Sequence, residues 1–190
     1  MLTTDLEKYL DVDYLKSRAE HKPHWFGLGF IQLKLDTITR VHFWHPRLVK
    51  DLPDEELHDH RYNFASHILK GELTNEIWQF LPADTGTLEL VTVDCKPNSN
   101  SDPVLVSKGH TALLASHTMH AGDSYRMYMD TFHRIHATHA ITLLSRDSIR
   151  KDVARVIRNP ANPFVCPFAA PKPADELWEL IKECIDYDSN

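Results

Sequence analysis

The segment His58-Asp59-His60-Arg61-Tyr62-Asn63-Phe64-Ala65-Ser66-His67-Ile68-Leu69-Lys70-Gly71 decides how this chain is read. Two histidines stand two residues apart at the head of a strand-like run that closes on a glycine. On a β-strand, residues i and i+2 point to the same face. His58 and His60 can therefore reach one point in space, and two imidazoles converging on one point suit a divalent transition metal. A second cluster, Phe132-His133-Arg134-Ile135-His136, lies far along the chain and offers a further ligand.

The surrounding pattern is that of an all-β domain. Strands are expected at 58–70, 73–80, 87–94, 103–106, 111–115, 124–129, 132–137 and 140–145. Gly71, Pro82 to Gly86, Pro97 to Ser101 and Gly109 punctuate them. Upstream, Phe26, Leu28 and Phe30 alternate with Gly27 and Gly29, and Ile31, Leu33 and Leu35 then take the opposite parity. That switch reads as a bulged strand or as two short strands. A strand follows at 37–44 and ends before Pro46; residues 47–57 read as a loop. Short strands without interleaved helices point to a sandwich or barrel.

Helices are expected at both ends. Residues 3–20 carry an apolar stripe of Leu6, Tyr9, Leu10, Tyr14 and Leu15, with Thr4 or Asp5 as a cap. Ala174 to Tyr187 is amphipathic, with Leu177, Leu180, Ile181 and Cys184 or Ile185 inward. Residues 159–173 hold five prolines and read as irregular. The expected organisation is one domain over 1–190, divided into a helical extension (1–24), a barrel (25–146) and a C-terminal extension (147–190).

Composition excludes several functional classes. The 190 residues carry a net charge of −6, so no basic footprint for nucleic acid is present. The run Ser145 to Lys151 with Arg155 reads as a solvated face. Thirteen histidines are the compositional anomaly. Cys95, Cys166 and Cys184 form no CxxC pair and no evident disulfide framework. No stretch approaches the roughly 18 consecutive apolar residues of a membrane span. The N-terminus has acids early and no long apolar run, and the expectation is a cytoplasmic protein.

The two histidine clusters resemble the two motifs of the cupin superfamily. In the first, His58 and His60 match the HxH and Gly71 the closing glycine, while Phe64 stands at the glutamate position. In the second, Gly122 opens the spacing and His133 matches the histidine. Tyr128, Asp130 and Ala137 stand where the motif has Pro, Gly and Asn. The resemblance covers roughly residues 58–137. It implies a small jelly-roll barrel with flanking helices and a metal held by His58, His60 and His133.

Within that superfamily the local text is similar to the thiol dioxygenases, which bind their metal with three histidines. The Leu69-Lys70-Gly71-Glu72-Leu73 turn and the His133-Arg134-Ile135 triplet carry the similarity. That family's Ser-His-Tyr set has no counterpart in Ile141-Thr142-Leu143-Leu144-Ser145, so the ligation carries over and the thiol substrate does not.

Three neutral imidazoles leave an ion with its full charge and open positions. Fe(II) is the expected metal, with Mn, Ni or Zn also compatible with imidazole. The expected function is a mononuclear oxygenase acting on a small polar or anionic molecule. A metal-dependent isomerase or lyase on a sugar or nucleotide, or a binding module without chemistry, stands as the alternative. The expected partners are a small-molecule substrate, with a homodimer as an open option and neither nucleic acid nor membrane.

Other residues take expected roles by parity. Arg40 shares a strand face with His42 and Trp44; its planar fork suits a substrate carboxylate or phosphate, and pairing with a surface acid is the competing reading. Tyr62 and Phe64 follow the ligand parity and are expected to line the substrate site, with plain core packing as the competing reading. Tyr128 is expected to offer a catalytic hydroxyl alongside Arg40, or else to pack in the core. Glu76 is expected to hydrogen-bond a ligand imidazole, or else to be solvated. His136 and His67 are expected to face away from the metal. His110, His117, His120 and His139 are expected in or near turns, with His117 and His120 near the barrel mouth.

Overall fold

Gly71, expected to end one strand and precede the next, lies inside a single long one. In the computed structural model, which describes residues 4–48, 57–94, 102–162 and 172–187, one strand runs unbroken from Phe64 to Pro82. Gly71 has φ +73°, and the pairing register shifts just before it, between Ile68 and Lys70. A left-handed residue beside a bulge bends a strand without ending it.

The elements in chain order are α1 (Thr4–Glu7), a 3-10 turn (Lys8–Leu10), α2 (Val12–Arg18), β1 (His24–Phe26), β2 (Phe30–Lys34), β3 (Thr39–Trp44), β4 (Phe64–Pro82), β5 (Leu88–Val93), β6 (Val104–His120), β7 (Ser124–Met127), β8 (Phe132–His136), β9 (Ala140–Arg146), β10 (Ala154–Arg158) and α3 (Ala174–Asp186). All strand pairings are antiparallel, in the order β1-β2-β3-β9-β4-β6-β5-β10, with β7 and β8 also pairing β4. The fold is all-β and jelly-roll-like. The bend in β4 makes it common to two half-sheets. Its first part pairs β9 and β7, and its second part pairs β6 and β8.

Several expectations are corrected here. The single N-terminal helix is two helices, because Asp11 is extended and caps α2, accepting from the backbone N–H groups of Asp13 and Tyr14 at 2.8 and 3.0 Å. Of the two readings of the parity switch near Gly27, two short strands is the one found, joined by a turn in which Gly29 has φ 91°. Gly109 does not divide β6: it packs against the Phe80 ring and the Leu81 carbonyl, where a side chain has no room. His110, His117 and His120 thus lie on a strand, all exposed. The basic run from Ser145 to Lys151 is mostly exposed, as expected of a solvated face, and β10, which follows it, pairs with β5. Most of the expected 47–57 loop, together with Cys95, Cys166 and residues 163–171, lies outside the described residues.

The first half-sheet has two different faces. Its outer face carries Ile31, Leu33, Val41, Phe43, Ile141 and Leu143, which pack on Leu15 of α2 and on Leu177, Leu180, Ile181 and Cys184 of α3. Each such buried side chain contributes about 1.5–3 kcal/mol. The inner face carries polar and aromatic residues instead, and these line the candidate site. No described helix is long and apolar enough to cross a membrane.

Candidate metal centre

His58 and His133 are direct antiparallel neighbours. The N–H of His58 donates to the carbonyl of His133 at 3.2 Å, and the N–H of His133 to the carbonyl of His58 at 3.0 Å. His60 follows two residues on, its N–H donating to the Met129 carbonyl at 3.3 Å. The HxH pair is therefore on an extended segment that precedes β4 and is not part of that strand. The same-face argument still applies, because the backbone there is pinned in register. The three rings form a near-equilateral triangle, with centroids 4.8, 5.0 and 5.0 Å apart. One ring nitrogen from each lies within 4.8 Å of the others, a grouping that could hold one metal ion. His60 Nε2 and His133 Nε2 are 2.8 Å apart.

The chemistry of this donor set fits a metal. Burial holds His60 and His133 well below the ordinary histidine value, and the neighbouring imidazoles add to the effect, with Arg40 and His42 contributing at His60. Both rings are thus neutral near pH 7, the form a metal requires. His133 Nδ1–H donates to Asn75 Oδ1 at 3.1 Å, which turns the lone pair of Nε2 into the cluster. Glu76, expected in that role, points the other way: Arg134 Nη2 donates to it at 2.7 Å and Trp78 Nε1 at 3.1 Å. The parity of β4 explains the correction, since Ile77 pairs with His133 and residues 75 and 77 share its face.

Asp59, between the two histidines, points away from them into a cage of cations. Its side chain is fully buried; it accepts from the N–H and Nε of Arg155 at 2.7 and 2.6 Å and from Lys151 Nζ at 2.9 Å. Lys151 Nζ also donates to the Met129 carbonyl at 3.0 Å, the residue that anchors His60. The basic segment thus reaches under the ligand-bearing strand and fixes its orientation.

Phe64 is 3 % exposed, and its ring lies 4.8 Å from that of His60 and 6.1 Å from that of His133. It closes one side of the cluster with hydrocarbon. The Tyr62 ring lies tilted against that of His60, with centroids 5.6 Å apart, and Arg40 Nη1 donates to the Tyr62 hydroxyl at 2.9 Å. Among the described residues Arg40 has no carboxylate partner, so the surface-acid reading of Arg40 has no support there. Tyr128 is a correction. Met127 is buried against Phe64, so the next residue points outward, and Tyr128 is 63 % exposed. His136 is also exposed, against Glu76 at 3.4 Å.

The face beside the cluster holds residues that sequence reasoning passed over. Gln32 and His42 are directly opposed on β2 and β3, and Gln32 Nε2 donates to His42 Nε2 at 3.2 Å. Burial first, and then Arg40, holds the His42 imidazole down at about 3, so it is neutral. Tyr125 faces Ser66 across β7 and β4; burial pushes its phenol up to about 12, with the Ser66 hydrogen bond acting against it. It can donate a hydrogen bond but is no base near pH 7. Phe26, Phe30, His42 and Trp44 form a contiguous aromatic wall, with Phe26 and Phe30 stacked at 5.0 Å. The parity of His42 with Arg40 signalled this face. The position of Gln32 followed only from knowing the partner strand.

No known family model and no curated protein matches the chain. Among solved structures it is similar to the hydroquinone 1,2-dioxygenase PnpCD in complex with Cd2+ and 4-hydroxybenzonitrile. The two are 9 % identical, the match covers 84 % of this chain and 80 % of the other, and the TM-score is 0.32.

Proposed function

We propose that this chain is a mononuclear metal-dependent enzyme of cupin type, in which His58, His60 and His133 hold Fe(II) and the face carrying Arg40 and Tyr62 takes a small anionic molecule. The observation that carries the reading is the triangle of imidazoles, two of them held neutral by burial, with no carboxylate among its donors in the described residues. Fe(II) bound by three neutral ligands would keep positions open for oxygen beside a substrate and supply one-electron chemistry.

The chain's own residues set the conditions for that chemistry. Phe64 excludes water and anionic side chains from one side of the cluster. Asn75 holds the His133 tautomer. Arg40 and Tyr62 orient the substrate through charge-assisted hydrogen bonds. The aromatic wall of Phe26, Phe30 and Trp44 accommodates its apolar part. The cytoplasm is the proposed location, and residues 1–190 are proposed to act as one domain.

Oxygen uptake by the Fe(II)-loaded protein, measured against a panel of small anionic molecules, tests the proposal. Uptake that requires both metal and substrate is the expected result. Turnover without oxygen would replace the oxygenase with a metal-dependent isomerase or lyase. Ligand binding that persists without metal and without turnover would leave only a binding module.

A further inference from the structure

Three cations gather on one face of the first half-sheet. Lys34 is directly opposite Arg40 across β2 and β3. Arg40 is opposite Leu144 on β9, and Arg146, two residues further, shares that face and is opposite Phe64. The guanidinium carbons of Arg40 and Arg146 lie 5.4 and 5.2 Å from the centroid of the Tyr62 ring. All three basic side chains are only partly exposed.

Their hydrogen-bonding capacity is not used up. The Nε atoms of Arg40 and Arg146 are both buried and lack a partner. Among the described residues none of the three cations forms an ion pair with a carboxylate. Arg146 Nη1 donates only to the neighbouring Asp147 carbonyl at 3.2 Å. The mutual repulsion registers at Lys34: burial, then Arg40 and Arg146, lower its ammonium from the ordinary value, with Glu20 acting in the opposite direction. Holding three like charges together on a partly buried face is unfavourable unless an anion completes the arrangement.

The charge count selects the anion. A monocarboxylate satisfies one guanidinium fork. Two forks, an ammonium and a tyrosine hydroxyl match a group with three anionic or strongly accepting oxygens. We propose that Lys34, Arg40, Arg146 and Tyr62 form a subsite for the dianion of a phosphate monoester. The Tyr62 ring also lies 5.6 Å from that of His60, so the phosphate is held beside the three histidines and the rest of the molecule extends toward them. The inference rests on the proposed function only for that placement beside the metal centre; the subsite itself needs no metal.

Calorimetric titration of the metal-free protein with inorganic phosphate, phenyl phosphate and acetate tests it. Both phosphates are expected to bind, phenyl phosphate at least as tightly as inorganic phosphate, and acetate about tenfold or more weakly. Arg146→Gln and Arg40→Gln are each expected to weaken phosphate binding by about tenfold or more, the factor for one charge-assisted hydrogen bond. Arg146→Lys, which keeps the charge and loses the fork, is expected to fall between. Thermal melts establish that the variants are folded, and Lys34→Gln is read in place of any that is not. No phosphate binding by the wild type, unchanged affinity in the folded variants, or acetate bound as tightly as phosphate would overturn the subsite. Binding of inorganic phosphate with exclusion of phenyl phosphate would overturn the monoester. Metal content, measured separately, distinguishes the two readings: loss of one with retention of the other rejects only the one lost.

Discussion

His133 Nδ1 lies 3.1 Å from Asn75 Oδ1, and both groups are buried. The amide oxygen can only accept, so it fixes the proton on Nδ1 and leaves Nε2 free to ligate. Asn75→Leu removes that constraint without adding a charge. The expected outcome is a folded protein whose metal affinity falls by about 10–100-fold, measured by competition with a chromophoric chelator. An unchanged affinity would show that Asn75 does not set the tautomer.

Phe64 stands where a carboxylate would add a fourth ligand. In Phe64→Glu the new group would sit against His60 and His133. Metal is expected to be retained more tightly, and binding of an anionic ligand to the loaded protein to weaken by about tenfold or more through like-charge repulsion. Chelator competition and ligand titration read the two effects separately. If neither changes in a folded variant, position 64 does not border the metal.

His42 makes the fold sensitive to acid. Its folded value, about 3, lies below the ordinary 6.5. Between those values the unfolded chain takes up a proton that the folded chain does not. Stability is therefore fully present above pH 6.5 and declines as pH falls from there toward 3. One such group contributes a slope of about 1.4 kcal/mol per pH unit. His42→Gln is expected to flatten the dependence by about that amount in urea unfolding of the metal-free protein at pH 4–6. Parallel curves for variant and wild type would show that His42 titrates normally.

Asp59 is buried between the ligands and bound by Lys151 and Arg155, both of which are partly exposed. Because the cations keep some water, Asp59→Ala is expected to cost about 3 kcal/mol, the low end for breaking a buried pair. Metal affinity should fall with it, since the segment carrying His58 and His60 loses its anchor. Urea unfolding and chelator competition on the same variant check both. A change in stability alone would limit Asp59 to a folding role.

Much of this architecture was legible in the chain because alternation is a local signal. The parity of Arg40, His42 and Trp44, of Tyr62 and Phe64, and of Leu177, Leu180 and Ile181 corresponds to the faces the fold gives them. What escaped depends on partners distant in sequence. Gly71 and Gly109 looked like stops, and whether a glycine bends a strand or ends it is decided by the strand alongside. Arg146, Lys151 and Arg155 looked like a solvated run because charge clusters usually are; only the pairing of β10 with β5 turns Arg155 toward Asp59. Asn75 and Glu76 were confused because β4 parity relative to His133 is fixed by the β4–β8 register, which no local pattern reveals.

The central claim is that His58, His60 and His133 hold one metal ion. Its most direct test is the metal content of the purified chain after anaerobic loading with Fe(II) and desalting. About one equivalent per chain is expected in the wild type, as for a single donor set, and next to none in a folded His58→Ala, His60→Ala, His133→Ala variant. Stoichiometric metal retained by that triple variant would contradict the claim.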